Sequence, residues 1–221
     1  MKVIHEINGE KSLFYYYPNF LNSSEYIFLK EWLETKKFIT GECIIGKEIP
    51  RAQLWFQENG EYFCNNWQYK YDRWYSNPYE EILLKIQDKI ANFSNNIKTI
   101  LDDDLIQVPN INSCLINKYR SGKDKIKPHR DTIDSFGVYP TIIGLSIGAE
   151  RNILVKKRDY NPEHINSLKH DPDTKLNIDL TLEDNSLFIM AGASQKYFTH
   201  EIPEHTNNDI RYSLTFREFI Y

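Results

Sequence analysis

From residue 110 onward the chain breaks into short β-forming runs with no helical pattern between them, and this constrains the fold more than any other feature. The runs are 113–119 (SCLINKY), 141–148 (TIIGLSIG), 152–157 (NILVKK), 186–190 (SLFIM) and 211–219 (RYSLTFREF), with turn signals at Ser121-Gly122, Asp184-Asn185 and Asn207-Asn208. Parallel strands need a long crossover, usually a helix. Without such crossovers the strands predict an antiparallel sandwich or barrel.

Helical signals are confined to the first half. Asn22 followed by Glu25 has the form of a capping box, and Tyr26, Leu29, Trp32 and Leu33 then recur at helical spacing, which predicts a helix over about 23–37. Asn77-Pro78 with Glu80 and Glu81 marks a second start. Ile82, Leu83, Ile86, Ile90 and Phe93 form its apolar face, and the helix is expected to end near Asn95. Between the two, residues 53–79 hold ten aromatic side chains, with hairpin turns expected at Gly60 and Asn65-Asn66. Residues 158–177 are polar, with two prolines, and read as a long inserted loop. The expectation is a single domain over 1–221. Residues 1–49 form an extension with the first helix, 50–110 a lid segment with the second helix, and 111–221 a β core.

No stretch approaches the roughly 18 apolar residues of a membrane helix, and the N-terminus lacks the apolar core of an export signal. Three cysteines, Cys43, Cys64 and Cys114, form no disulfide or CxxC pattern. An intracellular, membrane-free monomer is expected, in the cytoplasm or nucleus. A net charge of -4 argues against gripping nucleic acid with the whole surface. Residues 118–130, however, carry six basic side chains against Asp124 alone. That run is either a solvated turn or a local electropositive patch.

The chemistry-bearing pattern is KPHRDT. His129 and Asp131 share one face of an extended backbone, and Arg130 is expected to point away. Two imidazoles and a carboxylate suit ferrous iron and leave positions open for a co-substrate and O2. Among the other histidines beyond residue 100, His200 is the best third ligand, because it follows a buried-looking strand and turn. His164 and His170 lie in the polar loop, and His205 in a turn. In the last run, period two puts Arg211, Ser213, Thr215 and Arg217 on one face and Tyr212, Leu214 and Phe216 on the other. Inward guanidinium groups require carboxylates, which a dicarboxylate such as 2-oxoglutarate or intramolecular partners would supply. Leu115, Asn117 and Tyr119 likewise share a face, either as a co-substrate wall or as a satisfied core pair.

LINKYRSGKDKIKPHRD, LSIGAERN, SLFIMAGASQKYFTHEIP and RYSLTFR, in this order and spacing, resemble the AlkB family of nucleic-acid dealkylases. The resemblance spans about residues 50–219, and PRAQLWF (50–56) is similar to the start of the family's substrate lid. It implies an α+β, mainly β fold, a double-stranded β-helix (jelly roll) core with N-terminal supporting helices. It further implies Fe2+ on His129, Asp131 and His200, with 2-oxoglutarate held by Asn117, Tyr119, Arg211 and Arg217. The activity implied is O2-dependent dealkylation of N-alkylated bases in DNA or RNA, releasing formaldehyde, succinate and CO2. The substrate would be single-stranded or have its base flipped, since a buried iron cannot reach a stacked base. Trp55, Phe56, Tyr62, Arg130 and Asp134 are the candidate substrate contacts.

The chain departs from the family pattern at Ser213, where Asn is common, and at Ile133, where base-repairing members carry an acidic residue. A dioxygenase of the same fold acting on a protein or small molecule is therefore the main alternative, and a non-catalytic nucleic-acid-binding barrel a lesser one. His129-Arg130-Asp131 also copies a kinase tripeptide. The Asn expected five residues after the Asp is Phe136, and no Gly-rich phosphate loop exists, so that reading is excluded.

Overall fold

A computed structural model describes residues 1–42, 46–101 and 110–220, with only the helical backbone described for 97–101. Cys43 lies outside them. In chain order the elements are β1 (Lys2–Ile7), β2 (Glu10–Tyr17), α1 (Ser23–Thr35), β3 (Ala52–Gln57), β4 (Ser76–Asn77), α2 (Glu81–Leu101), β5 (Ser113–Tyr119), β6 (Ile126–His129), α3 (Ile133–Phe136), β7 (Ile142–Gly148), β8 (Arg151–Lys157), β9 (Ile178–Leu182), β10 (Ser186–Gly192), α4 (Ser194–Tyr197), β11 (Phe198–Ile202) and β12 (Arg211–Arg217).

The strands form a major sheet in the order β1-β2-β10-β7-β12-β5-β3-β4 and a minor sheet in the order β6-β11-β8-β9. Every pairing is antiparallel except that of β3 with the two-residue β4. This is the expected mainly β double-stranded β-helix with supporting helices. The alternation in β12 explains its layering. Tyr212, Leu214 and Phe216 join Leu29, Leu33, Leu83, Ile86 and Ile90 of the two long helices in one core. Phe14, Tyr119, Ile142, Val155, Phe188 and Phe198 fill a second core between the sheets. Each fully buried Leu or Phe in these cores contributes about 1.5–3 kcal/mol relative to exposure.

The capping box at α1 is made: Asn22 Oδ1 accepts from the Glu25 N–H at 3.0 Å, and Glu25 Oε2 accepts from the Asn22 N–H at 2.9 Å. α2 runs past Asn95 to Leu101, because Asn95 and Asn96 fall on its exposed face and oppose no packing.

Two expectations are corrected. Residues 1–49 do more than extend the core: β1 and β2 form a hairpin that adds to the major sheet through β10. Its turn is Asn8-Gly9, both with positive φ (53° and 78°), the chemistry of a tight hairpin. Residues 58–75 form no hairpin. Gln68 and Tyr69, both left-handed at φ 54° and 55°, turn the chain between two short 3-10 helices. The Tyr62 hydroxyl fastens this turn, donating to the Tyr71 carbonyl at 3.2 Å and accepting from its N–H at 3.0 Å.

Candidate active site

β6 and β11 pair so that His129 and His200 are direct cross-strand partners, with ring centroids 4.2 Å apart. The ligand atoms of His129, Asp131 and His200 all lie within 4.8 Å of one another. Three residues that are distant in sequence thus present two imidazoles and one carboxylate to a common point. Among the described residues this is the one cluster of three or more such groups.

The neighbours of the triad orient it. His129 Nδ1 lies 2.9 Å from the Lys127 carbonyl. A carbonyl can only accept, so Nδ1 carries the proton and Nε2 keeps a free lone pair for a metal. The Asp131 N–H donates to Oε1 of the buried Gln195 at 3.0 Å. Asp131 Oδ2 lies 2.6 Å from Arg217 Nε in an ion pair of which both side chains are buried. Both imidazoles are held below the ordinary histidine pKa. Burial is the main cause for each, opposed at His129 by Asp131 and reinforced at His200 by His129 and Arg217. Neutral imidazole is the ligating form.

The triad opens on a cavity of about 240 Å³ between the two sheets. Leu115, Asn117 and Tyr119 of β5 and Arg211, Ser213, Thr215 and Arg217 of β12 all line it, as period two predicts. Arg211 is the informative member. It is 1% exposed, its Nη2 donates to Ser146 Oγ at 2.8 Å, and its Nε and Nη1 have no hydrogen-bond partner among the described residues. The Tyr119 ring lies 5.1 Å from its guanidinium carbon. Burial lowers the Arg211 pKa, yet no carboxylate compensates the charge within the described residues. A buried cation with two orphaned donors fits a ligand carboxylate, as the donor set of the triad fits ferrous iron. Arg217 is paired with Asp131 through Nε, and its Nη1, like the free donors of Arg211, has no hydrogen-bond partner among the described residues.

Asn117 Oδ1 accepts from Arg51 Nε and from Gln53 Nε2, both at 2.9 Å. Arg51, Gln53 and Gln195 therefore belong to the site, although the sequence reading did not single them out. Arg51 is visible in hindsight, within the PRAQLWF stretch. Gln195 had no sequence signal beyond its proximity to His200.

The candidate substrate contacts divide. Trp55, Phe56 and Tyr62 are at most 2% exposed and line no part of the cavity. Both faces of β3 are covered, so Phe56 packs on Trp32 while Trp55 meets Phe63 edge-on and donates from Nε1 to the Glu61 carbonyl. The aromatic wall is instead Phe63, Trp67 and Trp74, with Phe63 and Trp74 stacked at 4.3 Å and Trp67 37% exposed. Asp134 is exposed on α3 and turns away from the cavity. Arg130 does not point away as the alternation predicted. β6 ends at His129, and Arg130 lines the cavity while donating to Asn166 Oδ1 at 2.7 Å.

Asn166 belongs to the polar loop, whose shape is set by the buried Arg158. Its guanidinium donates to the carbonyls of Lys196, Ile165 and Ser167 at 2.7–3.1 Å. His170 bonds Thr199 Oγ1, and neither it nor His164 joins the triad.

A jelly roll with two histidines and one aspartate facing an inter-sheet cavity defines a non-haem iron oxygenase site. The chain belongs to the 2OG-Fe(II) oxygenase superfamily, whose sequence model matches residues 13–217. It is 36% identical over 107 residues to human alpha-ketoglutarate-dependent dioxygenase alkB homolog 3, covering 48% of this chain and 36% of that protein. It is 29% identical over 133 residues to the Arabidopsis thaliana DNA oxidative demethylase ALKBH2, covering 55% and 42%. The chain thus spans well under half the length of these relatives. Among solved structures, OsALKBH1 superposes with a TM-score of 0.60 at 15% identity, covering 93% of this chain and 97% of that one. A Trichoplax adhaerens prolyl hydroxylase in complex with a hypoxia inducible factor peptide gives 0.54 at 12%, covering 93% and 83%. At such identities these structures bear on the fold alone, whereas the two sequence relatives support the AlkB resemblance.

Proposed function

We propose that this chain is an iron(II)- and 2-oxoglutarate-dependent oxygenase that removes alkyl groups from base nitrogens in DNA or RNA, with the whole of it acting as a single catalytic domain. The observation that carries the co-substrate is Arg211, a buried cation with two free donors in the same cavity as the triad. The relatives' names and the aromatic wall beside that cavity carry the substrate class.

In this reading His129, Asp131 and His200 hold the iron. Arg211 and Tyr119 receive the distal carboxylate of 2-oxoglutarate, and Asn117, fixed by Arg51 and Gln53, contributes from the adjoining wall. When bound, iron and 2-oxoglutarate would let O2 hydroxylate a carbon attached to nitrogen, one oxygen atom going to that carbon and the other into succinate as CO2 leaves. The protein's part is to keep both imidazoles neutral and hold Asp131 through Gln195 and Arg217. The hydroxylated group then leaves as formaldehyde by breaking its bond to nitrogen. The base enters unstacked, from a single strand or by flipping, and Phe63, Trp67 and Trp74 offer the aromatic surface nearest the cavity.

The absence of a carboxylate at Ile133 favours one second reading, an oxygenase of the same fold acting on a protein side chain. Succinate release measured with methylated oligonucleotides against methylated and unmodified peptides separates the two. Oligonucleotide-dependent succinate with matching formaldehyde supports dealkylation, and peptide-dependent succinate alone overturns it.

A further inference from the structure

The charge of the cavity wall bears on which alkylated base it accepts. Four guanidinium groups line it, those of Arg51, Arg130, Arg211 and Arg217, against one carboxylate, that of Asp131. Arg217 is paired with Asp131, and Arg211 is matched to the co-substrate in the reading above. A ferrous ion and a 2-oxoglutarate dianion together add no net charge, so the loaded cavity still carries four guanidinium charges against one carboxylate. Arg51 and Arg130 are then unneutralised. Arg51 donates to Asn117 Oδ1 and to the Lys125 carbonyl at 3.3 Å, and Arg130 to Asn166 Oδ1. All three acceptors are neutral. Neither arginine has an ion-pair partner within the described residues: Asp131, next to Arg130 in sequence, is paired with Arg217, Asp124, which attracts the Arg51 charge, is held by Arg120, and Asp134 is exposed and outside the cavity.

Alkylated bases fall into two electrostatic classes. Methylation at N1 of adenine or N3 of cytosine gives a cation at neutral pH. Methylation at N3 of thymine or uracil, or at N1 of guanine, replaces an N–H, leaves the base neutral and keeps carbonyl oxygens that accept hydrogen bonds. A half-buried wall with two unpaired guanidinium groups repels the first class and donates to the second. The unpaired acceptor on the wall, Gln53 Oε1, is neutral and does not offset the charge.

We infer that the site selects neutral, carbonyl-bearing N-alkylated bases over cationic ones, with Arg51 and Arg130 as the residues that set the preference. This rests on the dealkylase reading above.

The test uses the full chain loaded with iron(II) and 2-oxoglutarate and four single-stranded oligonucleotides identical but for one base: N3-methylthymine, N1-methylguanine, N1-methyladenine or N3-methylcytosine. One like charge in such a wall is worth about tenfold or more, so kcat/KM on the neutral pair is expected to exceed that on the cationic pair by at least that factor. Anaerobic binding, followed by oligonucleotide anisotropy, should show the same order. Arg130→Gln, which can still bond Asn166, and Arg51→Gln should each shrink the preference, chiefly by lowering KM for the cationic pair. Equal or better turnover of the cationic pair overturns the inference, as does a preference unchanged in both variants. Turnover of none of the four, with 2-oxoglutarate still binding, overturns the dealkylase reading itself.

Discussion

Replacing Asp131 by Asn would remove one of the proposed metal ligands, and it should also destabilise the metal-free protein. Asp131 and Arg217 are 5% and 6% exposed, with Oδ2 and Nε 2.6 Å apart. Asn keeps the volume but not the charge, and leaves the Arg217 guanidinium buried against the Phe136 ring, its centroid 4.6 Å away, with no anion. Breaking a buried pair from one side costs about 3–5 kcal/mol. At a urea dependence of about 2 kcal/mol per molar, the unfolding midpoint should fall by about 1.5–2.5 M. The assay is urea denaturation of chelator-treated protein, followed by tryptophan fluorescence. Adding Arg217→Met to Asp131→Asn should restore most of the loss, because the stranded cation is then gone. A single variant within about 0.5 kcal/mol of the parent would refute the premise that this pair is a desolvated ion pair.

Arg211→Met should raise the KM for 2-oxoglutarate by about tenfold to a hundredfold, the worth of charge-assisted hydrogen bonds, with iron affinity unchanged by chelator competition. The same variant should make the unliganded protein more heat-stable, since an uncompensated buried cation is removed; a lower Tm would count against that view of Arg211. Gln195→Leu leaves the Asp131 N–H without its acceptor and should weaken iron binding by about tenfold or more, while Gln195→Glu, which keeps an acceptor there, should retain most of it. Glu10 is held down to about 2 by hydrogen bonds from Lys196, Tyr139 and Tyr197. Its contribution is complete above the unfolded carboxyl pKa near 4.5 and is lost as pH falls toward 2, so Glu10→Gln should flatten the acid limb of stability over that window in pH-dependent denaturation.

Where local rules decide the structure, the sequence could be read closely. β12 has one face on the helices and one on the cavity, so its alternation alone sorts Arg211 and Arg217 from Leu214 and Phe216. The first helix announces itself through Asn22 and Glu25. The aromatic segment was opaque for the opposite reason. β3 is covered on both faces, so Trp55 and Phe56 are equally buried and period two carries no information there. Which of ten aromatics reaches the cavity depends on the left-handed turn at Gln68 and Tyr69, a tertiary choice that propensity does not encode. Gln195 belongs to the same class. An amide acquires its role from the N–H that packing brings to it, and Asp131 is 64 residues away along the chain. Of the minor sheet only β8 stood out as a run, while β6, β9 and β11 were hidden by shortness and polarity, β6 being four residues long. The partnership of His129 and His200 was therefore inferred from chemistry rather than from strand pairing.

The anchoring of the polar loop has a consequence for how such a protein diversifies. Arg158 grips main-chain carbonyls at Ile165 and Ser167 and touches none of the loop's side chains through those bonds. The stretch from Ile165 to Ser167 is thus held through its main chain, and this anchor leaves the side chain at Asn166 free to vary, while His170 and Asn177 fasten the rest of the loop through their side chains. Asn166, at the point where this stretch meets Arg130, can be exchanged by drift or selection without dismantling the loop. Descendants of this chain can alter what greets an incoming substrate while inheriting the iron-binding framework intact.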